Sequence, residues 1–299
     1  MALKRSFFRT HHILSMYLTS FANRVIARED EQFDLELLKR AAAIGYKNIE
    51  PVAIKDTFIG RHFENLLSKE KYQFVTENGA LTDHILDMVS NIKLNFLIIE
   101  ELEWMHQNYD YTYHHTIAST AIAMRMALDY FLNEDVAMEV GECALVKDIG
   151  LGHIPHDVVN KSGRLSKKEQ LIIQEHPMYS ALLLAHYYGD YMLLPVECAL
   201  NHHEDMLGSG YPRGIILDRI EVQIVKFADT FDALITARPF RNFFTLDDAF
   251  LISEAEIKLG SLDASLLPLV RSYHINFQMI FNKDTIDNSD NSSNEILIT

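Results

Sequence analysis

Glycine and proline are scarce in this chain of 299 residues, at twelve and seven, about half their usual combined share of ~12%. A sandwich or barrel of many short strands needs a turn every ~8–12 residues and is excluded at that rate. Cysteine is scarcer still. Cys143 and Cys198 lie in apolar helical patterns and make no disulfide framework, so both read as reduced core thiols. No apolar run is long enough to span a bilayer. The stretch from Ile13 to Ala22, preceded by Lys4, Arg5 and Arg9, superficially resembles a signal peptide, but His11 and His12 interrupt its start and no small-x-small cleavage pattern follows. It reads as an amphipathic element of a soluble, cytoplasmic protein. Positive charge is also short: 27 Lys and Arg against 42 Asp and Glu leave a net −15. That balance excludes broad binding to nucleic-acid polymers or anionic membranes, while a small anionic ligand held by local cations or metals stays open.

What the chain does have is 48% hydrophobic content in long helical patterns. The reading is an all-α helical bundle with a small N-terminal accessory domain, possibly α+β, since the Gly45–Gly60 stretch with Pro51 suits a few short strands. The expected division is an accessory or regulatory domain over 1–80, a helical domain over 81–282 and a disordered tail over 283–299 rich in Asn, Asp and Ser. Helices are predicted over 83–106, 112–132, 134–146, 166–187, 194–203, 219–236, 246–259 and 264–281. Asn133 marks one start as an N-cap, and Ser166 with Glu169 marks another as a capping box.

Nine of the fourteen histidines fall between His106 and His203. A single helical His is usually a core or surface residue, but their combination with acidic residues points to metal chemistry. His202 and His203 are neighbours near a helix end, with Glu204 placed to steady an imidazole. Asp148 closes a helix before Gly150. Asp229 and Asp232 share a helix face in an apolar run and need partners, whether a metal or a buried cation.

The ordered motifs His115-Thr116, Asp148-Ile149-Gly150, Ile154-Pro155, Asn160-Lys161-x-Gly163, His176-Pro177, His202-His203-Glu204, Gly208-Ser209-Gly210-Tyr211-Pro212, Ala228-Asp229-x-x-Asp232-Ala233-Leu234 and Arg238-Pro239-Phe240-Arg241 resemble the HD-GYP family over about residues 110–245. That family is a branch of the HD phosphohydrolases whose active members hydrolyse cyclic di-GMP. The resemblance implies that His115, Asp148 and Asp229 line one metal position. It implies that Asp148, His176, His202 and His203 surround a second, with Asp148 bridging the pair. It further implies iron or manganese as the divalent ion, Tyr211 beside the substrate as a catalytic-site residue together with Asp148, and Arg238 and Arg241 on phosphate. Cyclic di-GMP is the implied ligand, with a protein partner and a homodimer left open.

The sequence departs from that pattern at the centre. Lys147 stands where the family has His and Leu151 where it has Lys. The first change removes an imidazole ligand and brings an ammonium next to carboxylates, where it stays charged. Leu207 replaces a usual Asp before the Tyr211 loop, and Tyr111 replaces the Glu of trinuclear members, which excludes a third ion. His153 is in a different local geometry and is not expected to replace the lost ligand. In-line displacement at a phosphodiester is served by two ions about 3.5–4 Å apart. The expectation is therefore one ion, at most two, and a degenerate member with weak or no hydrolysis that binds nucleotide or a partner. An active phosphodiesterase that tolerates Lys147 as a general acid or as a charge replacing one metal is the second reading. An interaction protein with a dead bundle is the third.

Overall fold

The computed structural model describes residues 12–46, 49–76, 79–237 and 243–279. The expected tail over 283–299, Arg238 and Arg241 lie outside them. The described chain is mainly helical, as expected, with three antiparallel strand pairs. His12–Ile13 pairs with Gln32–Phe33, Leu18–Thr19 with Val25–Ala27, and Val52–Ala53 with Lys93–Leu94. The stretch from Ile13 to Ala22 thus folds largely as strands and turns.

The centre is the helix Asp110–Phe131, in which Ala, Ile and Met alternate with small polar residues and fourteen side chains are buried. It packs on the helices Glu134–Val146 and Ile220–Ile235. The helix His176–Tyr188 is buried almost throughout and packs on Leu194–Asn201, on the 3-10 turn Ile149–His153 and on Leu35–Ala43. The segment before residue 80 shares the bundle's hydrophobic core: Phe63 and Phe74 are buried in the same cluster as Ile117 and Phe231. Ser15 donates from backbone and side chain to Glu175, and Met16 N–H donates to the Tyr179 hydroxyl.

Two helix starts follow their caps. Asn133 Oδ1 accepts from the N–H groups of Asp135 and Val136, and Ser166 with Glu169 forms the reciprocal capping box. Two predicted helices are broken. The 83–106 stretch divides into Gly79–Asn91 and Phe96–Asn108, because Asn95 caps Leu97 N–H and donates to the Tyr187 carbonyl, pinning an extended link between them. The 166–187 stretch divides into Lys167–Ile173 and His176–Tyr188, with Pro177 in the first turn of the second, where its missing N–H costs nothing.

Candidate metal centre

Five helices and the turns at their ends deliver the candidate ligands to one place. Asp148 follows the helix Glu134–Val146 and caps the turn Ile149–His153. Gly150 lets that turn lie against the first turn of the His176 helix, since a Cβ there would collide with the His176 carbonyl and the Ser180 backbone nitrogen. His202 caps the end of Leu194–Asn201, His203 follows, and His115 and Asp229 come from two central helices.

Asp148 stands between two groups. Its Oδ1 lies 3.2 Å from His176 Nε2 and 3.4 Å from His202 Nε2. His176 donates Nδ1–H to the Ile173 carbonyl at 2.7 Å, and His202 donates Nδ1–H to the Ala199 carbonyl at 2.9 Å. With Nδ1 committed to a backbone carbonyl, each ring turns its Nε2 toward Asp148, and the two Nε2 atoms face one another at 3.3 Å. Burial pushes the His202 pKa down, and burial with His202 alongside pushes His203 well below the ordinary imidazole value. Three imidazoles and one carboxylate converging from buried and half-buried positions are a donor set that suits a divalent cation. Donor atoms of Asp148, His176, His202 and His203 all lie within 4.8 Å of one another.

The other group is arranged differently. His115, Asp148 and Asp229 are also close enough to share an ion, but the fully buried Lys147 ammonium lies among them. It donates to Asp148 Oδ2 and, at 2.8 Å, to Asp229 Oδ1. Burial would push the ammonium down, yet Asp148 and Asp229 outweigh it and hold the lysine above its ordinary value. Both carboxylates resist burial's upward push through Lys147 and sit well below the usual range. His115 donates from Nε2 to Asp229 at 2.9 Å and from Nδ1 to Asp232 at 2.7 Å. Against burial, those bonds raise it to about 9. An imidazolium with both nitrogens engaged is a donor and has no lone pair for a metal. The residues of this group, as arranged, do not fit a second ion.

Tyr211 stacks on His203, with ring centroids 4.5 Å apart and planes at 21°. Its loop is held by two carboxylates. Glu204, expected beside an imidazole, instead accepts backbone N–H bonds from Arg213 and Ile215. Asp205 accepts from the backbone N–H groups of Leu207 and Ser209. This fixes the loop shape despite Leu207. Gly210 allows the close approach, since a Cβ there would strike the His203 carbonyl.

A cavity of about 270 Å³ opens over the cluster, lined by His115, Asp148, His176, His203, Tyr211 and Asp229, with Leu151, Asn160, Lys161 and Tyr111 at its other walls. Tyr111 stacks parallel on His115 with centroids 6.0 Å apart. His153 turns away to Glu101 at 3.2 Å. A larger cavity of about 730 Å³, beside Phe244 and Phe277, holds none of the candidate ligands. Sequence reading missed Tyr72, whose hydroxyl donates to the buried Asp232 at 2.7 Å. It lies outside the motif region, and no spacing signals it. Among the described residues no helix is long and apolar enough to cross a membrane.

Residues 63–266 match the family model described as HD domain. A 3′3′-cGAMP-specific phosphodiesterase of Vibrio cholerae is 31% identical over 70% of this chain and 51% of its own length. A cyclic di-GMP phosphodiesterase of Thermotoga maritima is 33% identical over 62% of this chain and 48% of its own. Another, from Pseudomonas aeruginosa, is 28% identical over 56% and 42%. The chain thus matches about half the length of these relatives, or less.

Proposed function

The chain belongs to the HD domain family, as its motifs lead one to expect, and we propose that it is a cyclic dinucleotide-binding signalling protein with a single divalent ion and weak or absent hydrolysis. The observation that carries this reading is the Lys147 ammonium bridging Asp148 and Asp229. Asp148, His176, His202 and His203 would hold the ion, iron or manganese in keeping with the family resemblance. When bound, it supplies Lewis-acid polarisation of a phosphate oxygen. Lys147 supplies fixed positive charge at the other position but cannot coordinate an attacking oxygen. Leu151 contributes no cation to the cavity wall. Lys161 does, although Glu169 already engages it at 2.7 Å.

The cavity's size supports entry of one phosphodiester linkage with an attached sugar, because binding sites for whole drug-sized ligands occupy ~300–1,000 Å³. Tyr211 forms one wall against that linkage, and Arg238 and Arg241 remain the proposed phosphate contacts from the sequence. The relatives named as cyclic di-GMP and 3′3′-cGAMP phosphodiesterases support a cyclic dinucleotide ligand, with cyclic di-GMP proposed on the motif resemblance and 3′3′-cGAMP as the alternative.

The test is metal analysis with turnover and thermal shift. About one tightly bound ion per chain, a melting temperature raised by cyclic di-GMP or 3′3′-cGAMP, and little turnover are expected. Lys147→His with Leu151→Lys should add the second ion and raise turnover. Two ions with rapid hydrolysis by the natural chain would overturn the reading, as would no thermal shift with either nucleotide.

A further inference from the structure

Two carboxylates, Glu175 and Glu101, stand beside the elements that carry His176 and Asp148, and the strand-forming segment between His12 and Phe33 reaches both. We propose that Glu175 and Glu101 are positioning residues that tie His176 and Asp148 to this segment, so that residues 12–33 control how tightly the histidine cradle holds its ion. The proposal rests on the reading that Asp148, His176, His202 and His203 bind one divalent ion, and it adds how that site is regulated.

Glu175 immediately precedes His176 and stands at the N-cap position of its helix. Its carbonyl accepts the Tyr179 N–H at 3.2 Å and its carboxylate accepts the Tyr179 hydroxyl at 2.7 Å, which fixes it to the first turn of that helix. The same carboxylate oxygen is held from across the chain. Ser15 donates its N–H to it at 3.0 Å and its hydroxyl at 2.8 Å. Met16 N–H then donates to the Tyr179 hydroxyl at 3.2 Å. Two adjacent residues of the segment thereby grip the turn that begins with His176.

Glu101 serves the other ligand-bearing element. Asp148 caps the start of the turn Ile149–His153, and His153 closes it. His153 Nε2 lies 3.2 Å from Glu101 Oε2. The Tyr187 hydroxyl donates to Glu101 Oε1, and Phe21 N–H donates to that hydroxyl at 3.4 Å. Glu101 is 1% exposed, so a bond withdrawn from its carboxylate is not replaced by bulk water. A cavity of about 220 Å³ separates Phe21 and Asn23 from Gly152 and His153. The segment therefore meets this end of the turn across a gap, and the chain Phe21–Tyr187–Glu101–His153 carries the contact.

Both links run through the helix His176–Tyr188, at Tyr179 and at Tyr187, about 12 Å apart along its axis. Between them the Gly150 N–H donates to Ser180 Oγ at 2.9 Å and joins that helix directly to the Asp148 turn. A segment bound at both points holds helix and turn in one register. The cradle depends on that register, because Asp148 Oδ1 must stand near His176 and His202 at once. Apparent affinity falls by the fraction of time the donors are in place, so a change that leaves them aligned about one tenth of the time costs about tenfold.

The experiment titrates the full chain with manganese alone, follows the free ion by electron paramagnetic resonance and records metal-free melting temperatures. Glu101→Gln should weaken manganese binding by about tenfold. Glu175→Ala should weaken it by about fivefold, and Glu175→Gln, which keeps an acceptor for Ser15, should recover most of that loss. Ser15→Asp, at an exposed position outside the bundle, sets a second negative charge against Glu175 and should reproduce the Glu175→Ala loss. If Glu101→Gln fails to fold, the Glu175 and Ser15 variants decide. A lowered metal-free melting temperature with unchanged manganese affinity in Glu175→Ala or Ser15→Asp is the result of a merely structural contact and would overturn the proposal. A natural chain that binds no manganese would overturn the single-ion reading itself, and the positioning roles with it.

Discussion

Lys147 Nζ lies 2.8 Å from Asp229 Oδ1 while it also donates to Asp148, so one ammonium joins the turn after the Glu134–Val146 helix to the Ile220–Ile235 helix. Replacing Lys147 by Met leaves two buried carboxylates facing one another without their shared cation. The expected cost is about 3–5 kcal/mol, read from urea unfolding in the presence of a chelator. Added divalent metal should restore more stability to Lys147→Met than it adds to the natural chain. Equal stability of the two metal-free proteins would contradict the bridging role.

Glu204 holds the Tyr211 loop through the N–H groups of Arg213 and Ile215, not through a histidine. Glu204→Gln keeps one acceptor oxygen and places an NH2 group against a backbone donor. A loss of about 1–3 kcal/mol is expected. Amide exchange over residues 208–216 should rise, while exchange in the Asp110–Phe131 helix should stay slow.

Gly150→Ala puts a methyl group against the His176 carbonyl and Ser180. Backbone cannot rotate away as a side-chain tip can, so about 1–3 kcal/mol of destabilisation is expected. Metal affinity should fall with it, because the turn that carries Asp148 would be displaced from the His176 helix. Undiminished affinity at lowered stability would separate the two effects.

The Lys161 ammonium, then the Ser166 backbone and side chain, pull Glu169 down from 4.5 to about 2. A carboxyl depressed by folding contributes stability above about pH 4.5, and that contribution is lost as the pH falls through about 2. Carboxyl NMR should show Glu169 titrating near 2. Lys161→Gln should move the midpoint upward, and high salt should do so in the natural chain because the pair is partly exposed to solvent.

The helix from Glu134 to Val146 was legible to the residue because a strong cap at Asn133 precedes uninterrupted periodicity. The break at Asn95 was not. Ile92 and Phe96 continue the helical spacing, and the bond from Asn95 to Tyr187 that interrupts it joins residues 92 apart in sequence. Likewise the motif order named His115, Asp148, His176, His202, His203 and Asp229, whose side chains stand together in the structure. Their protonation was less readable. Only tertiary contact shows that His115 lies between Asp229 and Asp232, and that Tyr72 reaches Asp232 from the N-terminal segment.

The ammonium at Lys147 differs from a metal ion in one further respect: it is tethered. A bound metal is lost by dilution, chelation or scarcity, whereas a side-chain cation stays at a fixed local concentration for the life of the chain. The charge balance between the Asp148 turn and the Asp229 helix is thereby partly encoded genetically, independent of metal supply. The packing of those two elements should accordingly survive metal starvation that empties the histidine cradle beside them.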